Sequence, residues 1–210
     1  MRAQDLHNLL ERLSARRPVL IGWSQGVQDL AAYVERYSTH DLAGLVLVDA
    51  AVSDGADGIA ARPQETAAQF KMFAVYQAHQ EEYLRGMMGA ITSKPQPGGA
   101  IDQFVATGMK TPPTIGIGML VADLFGVNRT AALKEIDCPI LIIASAKSDE
   151  LDRQQAGAGQ VRAGVALYAR FEKIEDAAHA VFLDQPVRFN ELLDKFVKEL
   201  TASGRSTPSR

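Results

Sequence analysis

The sequence predicts an α/β protein with a mostly parallel sheet of about four strands and helices on both faces. Residues 19–21 are apolar and run into Gly22-Trp23-Ser24-Gln25-Gly26, and an amphipathic stretch follows at once. That order is typical of a strand, a sharp turn and a helix. Residues 45–48 and 140–144 are continuous apolar runs, as in strands that are buried on both faces of a parallel sheet. A fourth, less regular strand is predicted over 171–174.

Composition restricts the kind of protein. The chain has 210 residues, of which 47% are hydrophobic and 22% charged, and its net charge is −3. This suits one sizeable domain and gives no broad basic surface for nucleic acid. We expect no nucleic-acid or membrane partner, no cofactor or metal, and a cytoplasmic setting, because no phosphate-binding, metal-spacing, signal or membrane-spanning pattern is found. The single cysteine, Cys138, cannot form an internal disulfide.

The regular patterns divide the chain into a core and an insertion. Residues 1–52 and 138–200 carry the strands and are predicted to form a partial α/β core, whereas residues 53–137 are mainly helical and are predicted to form a helical cap. The tail over 201–210 is rich in Ser, Thr, Gly, Pro and Arg and is predicted to be disordered. Helices are predicted over 4–13, 27–37, 63–91, 101–109, 113–125, 151–168 and 186–200.

Ser24 is the candidate nucleophile. A strand that turns sharply into a helix lifts the serine hydroxyl onto the tip of a strained elbow. Gly22 and Gly26 are both predicted to be required, because a side chain at either position would clash in the tight turn.

His179 is the candidate general base. A serine hydroxyl is a weak nucleophile and needs a base within hydrogen-bond reach. His179 lies in a loop of small residues between the last strand and the last helix, where it could reach Ser24. The other histidines, His7, His40 and His79, are expected to be solvated.

The carboxylate that should orient the base has several candidates. Asp149 is preferred, because it is the acidic residue nearest the end of the third apolar strand. Glu150 and Asp152 are close rivals. Asp49, directly after the strand that follows the elbow, is an alternative, although it could also cap a buried strand end.

Two further carboxylates, Asp176 and Asp184, flank His179 too closely in sequence to orient it easily. Both are expected to be solvated. The developing oxyanion needs two backbone donors, and the N–H of Gln25, at a helix N-terminus, is predicted to be one of them.

Four stretches together resemble the α/β-hydrolase superfamily, in its capped, lipase/esterase-like branch, which includes cofactor-free haloperoxidase-type esterases. They are Gly22-Trp23-Ser24-Gln25-Gly26, Leu45-Val46-Leu47-Val48-Asp49-Ala50, Cys138-Pro139-Ile140-Leu141-Ile142-Ile143 and Ala178-His179-Ala180-Val181-Phe182-Leu183-Asp184-Gln185-Pro186. The resemblance implies that Ser24 is the nucleophile, that His179 is the base and that residues 53–137 cap the active site.

The resemblance also has two departures. The usual acid position of the superfamily falls on Ser148, one residue before Asp149. Position 49 corresponds to an alternative acid site used by some members, such as certain dehalogenases, but those enzymes carry an aspartate nucleophile where this chain has Ser24.

At its front, the superfamily fold has four strands before the elbow strand. The resemblance therefore implies an N-terminally truncated domain with the elbow strand at an exposed sheet edge, which a homo-oligomer could cover. The second oxyanion donor would be missing, and such a loss costs about 10²–10³ in rate.

The expected activity is hydrolysis of a small-molecule ester or related acyl substrate by a Ser-Asp-His triad through an acyl-enzyme. The alternatives are an acyltransferase on the same fold and a catalytically inactive fragment that serves as a binding or dimerising module.

Overall fold

A four-stranded, fully parallel sheet forms the centre of the computed structural model, which describes residues 2–161 and 169–202. The strands lie side by side in chain order: β1 (Val19–Trp23), β2 (Gly44–Val48), β3 (Ile140–Ser145) and β4 (Ala169–Ile174). This confirms the predicted fold class. Because all four strands are parallel, their C-terminal ends meet along one edge, where sites of open α/β sheets are found.

Helices precede, connect and follow the strands. In chain order they are α1 (Arg2–Arg12), α2 (Gln25–Tyr37), α3 (Ala56–Ala61), α4 (Pro63–Ala78), α5 (Gln80–Ile91), α6 (Gly98–Gly108), α7 (Pro113–Val121), a π-helical turn (Ala122–Gly126), α8 (Ala131–Glu135), α9 (Leu151–Gln160), α10 (Val181–Asp184) and α11 (Pro186–Ala202).

Three predicted segments differ from these elements. The single helix predicted over 63–91 is two helices, because His79 leaves the helical region with φ −139° and ψ 57°. The helix predicted over 151–168 is α9 up to Gln160, and residues 162–168 lie outside the described part of the chain. The tail predicted to be disordered from 201 starts inside α11, and residues 203–210 are not described.

The two faces of the sheet bury alternate residues of the same strand. Leu45 and Leu47 pack against α2 and α8, whereas Val46 and Val48 pack against α11. Every residue of β2 is buried, which explains why its sequence is continuously apolar rather than alternating. The sheet therefore has a helical layer on each side.

Helices α3–α7 lie between β2 and β3 and have a small core of their own. Its buried members are Tyr76, Leu84 and Val105. In contrast, Leu133 of α8 and the neighbouring Ile136 belong to the hydrophobic core between the sheet and α2. The last part of the predicted 53–137 insertion therefore packs with the sheet.

Strand β1 lies at the edge of the described sheet. Its central residue Ile21 is 51% exposed, so the edge is partly apolar, as the sequence predicts. A homo-oligomer through this edge stays a prediction. None of the helices within residues 2–161 and 169–202 is long and apolar enough to cross a lipid bilayer.

The junction of β1 and α2 depends on one glycine rather than two. A Cβ at Gly22 would lie 2.6 Å from the carbonyl oxygen of Gly26 and 2.9 Å from a methyl group of Leu30. A Cβ at Gly26 would meet nothing within 4 Å. The predicted requirement for glycine at position 22 agrees with this packing, but the steric requirement at position 26 is wrong.

Asp184 joins the loop that carries His179 to the segment that follows α5. Its side chain is fully buried and accepts hydrogen bonds from the backbone N–H groups of Ala178 (2.8 Å), Ser93 (2.8 Å) and Lys94 (3.2 Å). The expectation that Asp184 is solvated is therefore wrong, whereas Asp176 is exposed as expected. Burial by itself would raise the pKa of the Asp184 carboxyl, but these three N–H groups lower it below its ordinary value.

The glycine pair offers a direct test of the elbow packing. Gly22→Ala should lower the free energy of unfolding by about 1–3 kcal/mol or more, because its Cβ overlaps backbone. Gly26→Ala should be neutral or stabilise the protein by up to about 1 kcal/mol, because alanine is the better helix former. Urea denaturation of both variants measures the difference. Equal destabilisation by the two substitutions would contradict the packing described.

The Asp184 contacts should appear as pH-dependent stability. Asp184→Asn places an amide NH₂ against backbone donors and should cost about 1–3 kcal/mol at pH 7. A carboxyl whose pKa is lowered on folding stabilises the protein above its unfolded value, about 3.9, and loses that contribution as the pH falls through the folded value. The gap between wild type and variant in urea denaturation should therefore be full at pH 6–7 and narrow below about pH 5.

The matched control for this experiment is Asp176→Asn. It removes an exposed carboxylate near His179 and should change stability by no more than about 0.5 kcal/mol. A gap for Asp184→Asn that widened on acidification, or an equal cost for Asp176→Asn, would contradict the proposed basis of the stability.

Candidate active site

Polar side chains from separate parts of the sequence meet at the C-terminal edge of the sheet. Ser24 follows β1, Asp49 follows β2, Ser145 ends β3, and His179 lies in the loop after β4. The strand register sets this meeting, since Trp23 pairs with Val48 and Val48 in turn with Ile143.

Ser24 has the strained backbone of a sharp strand-to-helix turn. Its φ is 55° and its ψ is −122°, a region that residues other than glycine rarely adopt. Its N–H donates to the carbonyl of Val48 (3.0 Å), and its own carbonyl accepts from Val27 (3.0 Å). The turn is thus held by β2 on one side and by the first turn of α2 on the other.

His179 contacts both predicted partners of a base. Its Nε2 lies 2.8 Å from Ser24 Oγ, and its Nδ1 lies 3.0 Å from Asp49 Oδ2. Because a carboxylate can only accept, the hydrogen-bond pattern assigns the proton of the neutral ring to Nδ1. Nε2 is then an acceptor, to which the Ser24 hydroxyl donates.

The side chain of Asp49 has no solvent-exposed surface, and it accepts hydrogen bonds from Ser145 as well as from His179. Ser145 donates twice, from its N–H to Oδ1 (2.5 Å) and from its hydroxyl to Oδ2 (3.1 Å). The backbone of Asp49 has a φ of 48°, in the left-handed region that residues other than glycine rarely adopt. A buried carboxylate needs such donors, since an unpaired one would be costly.

The preferred sequence candidate for the acid, Asp149, is not the carboxylate on His179. Both ring nitrogens of His179 already have partners, Ser24 and Asp49. Asp149 is exposed in the turn after β3, although it lines the same cavity. The rivals also lie elsewhere, since Glu150 accepts from the N–H of Ala51 (2.6 Å) and Asp152 is exposed in α9. The alternative at position 49 is the one with the required contact.

Gln25 is the first residue of α2, as the sequence predicts. The described residues provide no hydrogen-bond acceptor for its backbone N–H, which leaves that group available at the helix N-terminus. Its side chain donates to Asp123 in the π-helical turn, and Arg2 of α1 pairs with the same carboxylate. Arg2 also bridges to Asp29 (2.7 Å), whose pKa is raised by burial.

A cavity of about 840 Å³ lies over these groups. Ser24, Asp49 and His179 all line it. Helix α7 and the π-helical turn contribute an apolar part of its lining, namely Leu120, Leu124 and Phe125.

Another part of the lining is charged. Arg62 pairs with Asp54 (2.6 Å), and Arg153 pairs with Glu150. The charges of these four side chains are therefore balanced in pairs within the wall. In the described part of the chain, no three His, Cys, Asp or Glu side chains are grouped as metal ligands.

Sequence reasoning missed Ser145, Asp123 and Asp184. Ser145 and Asp184 each had a weak local signal, a hydroxyl that ends an apolar strand and a carboxylate just before Pro186. Asp49 lies 96 positions from Ser145, and Ser93 lies 91 positions from Asp184, so a local pattern could not reveal these contacts.

Comparison with known proteins gives the same fold. The sequence matches the Alpha/beta hydrolase family over residues 1–192. An esterase from Exiguobacterium antarcticum superposes with a TM-score of 0.75 at 18% identity, over 93% of this chain and 72% of that one. A bromoperoxidase from Bacillus anthracis gives 0.76 at 18%, over 93% and 72%. A thermophilic esterase from Thermogutta terrifontis gives 0.68 at 21%, over 94% and 71%.

With the elbow, the parallel sheet and a family match over most of its length, the chain belongs to the alpha/beta hydrolase family.

Proposed function

We propose that this chain is a serine hydrolase that cleaves a small-molecule ester or related acyl substrate through an acyl-enzyme. The observation that carries the proposal is the continuous hydrogen-bonded chain from Ser24 through His179 to Asp49, with separations of 2.8 and 3.0 Å. Nucleophile, base and orienting acid in this geometry are the requirements for nucleophilic catalysis by serine.

In the first half of the reaction, Ser24 Oγ attacks the acyl carbon and His179 Nε2 takes its proton. Asp49 keeps the Nδ1–H in place and balances the positive charge of the imidazolium. His179 then gives the proton to the leaving alcohol oxygen, the bond between acyl carbon and alcohol oxygen breaks, and the acyl group stays on Ser24.

In the second half, water attacks the acyl carbon while His179 takes a proton from it. The bond to Ser24 Oγ breaks, and the proton returns from His179 to that oxygen. The N–H of Gln25 stabilises the oxyanion formed in both halves, assisted by the dipole of α2. A reduced rate from a single oxyanion donor stays a prediction.

The cavity and the comparisons support an ester as substrate. The apolar lining from Leu120, Leu124 and Phe125 suits an acyl or aromatic group, and esterases are among the structures that share the fold. The acyltransferase and the inactive binding module are the competing functions. In an acyltransferase, an acceptor other than water would remove the acyl group from Ser24. In an inactive binding module, no acyl-enzyme would form.

Ser24→Ala should abolish hydrolysis of p-nitrophenyl acetate, with kcat/KM falling by at least about 10³-fold, because the variant has no nucleophile at this position to form the acyl-enzyme. An alkyl fluorophosphonate should add one phosphonyl group to the wild type by mass spectrometry and none to Ser24→Ala. Ser14→Ala, in the turn after α1, is the matched control and should retain activity.

Wild-type protein that neither hydrolyses the ester nor takes the label would overturn the proposal and favour the binding module. Faster release of p-nitrophenol with an added alcohol, together with formation of the new ester, would favour the acyltransferase.

Asp149 is the acid preferred from the sequence, and Asp49 is the one that contacts His179. Substituting each in turn distinguishes the two. Asp49→Asn should lower kcat by at least about 10²-fold and up to about 10⁴-fold, the loss seen for the wrong tautomer in the serine-protease case. Asp149→Asn should change kcat by no more than about threefold, because its carboxylate is exposed and His179 has no free ring nitrogen for it. The reverse order of the two effects would refute the role of Asp49.

A further inference from the structure

The residue before the nucleophile also contacts the base. The indole Nε1–H of Trp23 donates to the backbone carbonyl of His179 at 2.9 Å. The two rings pack against each other with centroids 5.2 Å apart and planes at 39°. A second ring, Phe182 of α10, meets the indole edge-on at 5.0 Å. Trp23 therefore holds both the backbone and the ring of His179.

The loop around His179 is fixed at three consecutive residues. The N–H of Ala178 donates to Asp184, and the N–H of Ala180 donates to the carbonyl of Ile91 (2.7 Å). These two anchors lead to α10 and to the end of α5. Of these three backbone anchors, the one at His179 leads to the elbow, since its donor Trp23 is the covalent neighbour of Ser24.

The hydrogen bond from Trp23 to His179 joins two parts of the site that lie far apart in the sequence. The hydroxyl of Ser24 and the imidazole of His179 must stay within hydrogen-bond distance, although 154 residues separate them in the chain. A bond from the preceding residue to the backbone of the base closes that separation through one side chain. Misplacement by about 1 Å can cost about 10²-fold in rate.

We infer that Trp23 is a positioning residue, which sets the separation of Ser24 and His179 by tying the carbonyl of His179 to the elbow strand. The inference rests on the proposed function, because it assigns Trp23 a role in that reaction. Trp23 does not line the cavity of about 840 Å³, so the role is distinct from substrate binding. Substitution of Trp23 should therefore lower kcat and leave KM unchanged.

The first test compares Trp23→Phe with a packing control. Trp23→Phe keeps an aromatic ring but removes the N–H donor together with part of the indole, so kcat for p-nitrophenyl acetate should fall by about 10- to 100-fold while KM stays within about twofold. Phe182→Leu removes the edge-on ring contact but keeps the indole hydrogen bond, so its kcat should stay within about threefold of wild type. Thermal unfolding of both variants confirms that they are assayed well below their melting temperatures.

Unchanged kcat in Trp23→Phe, or an equal loss in Phe182→Leu, would overturn the inference and leave Trp23 a packing residue. A loss that appears mainly in KM would overturn it as well.

The second test needs no turnover and so separates this inference from the proposed function. Trp23 is the single tryptophan of the chain, so the fluorescence of the protein reports on the surroundings of this indole. His179→Gln removes the ring that packs against the indole and should change the emission intensity or wavelength. His40→Gln, which replaces a distant exposed histidine, should leave the emission as in the wild type.

Emission that is the same in His179→Gln as in the wild type would show that the rings do not pack as described and would overturn the inference. If the wild type is inactive but the emission depends on His179, the contact stands and the hydrolase proposal is the one that fails.

Discussion

The hydrogen bond between Asp49 and His179 is the contact on which the arrangement of the site depends. It joins residues 130 positions apart and gives a partner to a carboxylate that has no exposed surface. Such a charge is tolerated only where donors surround it. Ser145 supplies the others from the end of β3. The register of β2 against β3 and the path of the loop after β4 are therefore both constrained by one buried carboxylate.

Backbone conformation at two strand ends directs the side chains into the site. Ser24 and Asp49 both have positive φ, 55° and 48°, which costs about 1–3 kcal/mol at each residue. Neighbouring strands hold both in place, because Ser24 donates to the carbonyl of Val48 at 3.0 Å and Asp49 donates to the carbonyl of Ile143 at 2.8 Å. The sheet ladder thus continues one residue past each strand, and this extra bond offsets part of the strain.

The sequence allowed the fold and two of the three contacting residues to be predicted, because their signals are local. Apolar runs mark β2 and β3, and the small residues around His179 mark its loop. The choice of Asp149 over Asp49 failed because it depended on how closely the turn after β3 approaches the histidine, a distance that sequence spacing does not determine. The burial of Asp184 is equally non-local, since residues about 90 positions earlier cover it.

The helical segment between β2 and β3 touches the site from two sides. At the C-terminal end of α5, Ile91 accepts a hydrogen bond from the N–H of Ala180, and the N–H of Ser93 donates to Asp184. At its π-helical turn, Asp123 accepts from the side chain of Gln25. The first two contacts bear on the loop that carries His179, and the third bears on Gln25, the residue after Ser24. Displacement of this segment would therefore act on the loop of His179 and on Gln25 together, whereas the bond from Trp23 to the carbonyl of His179 ties the same loop to the sheet.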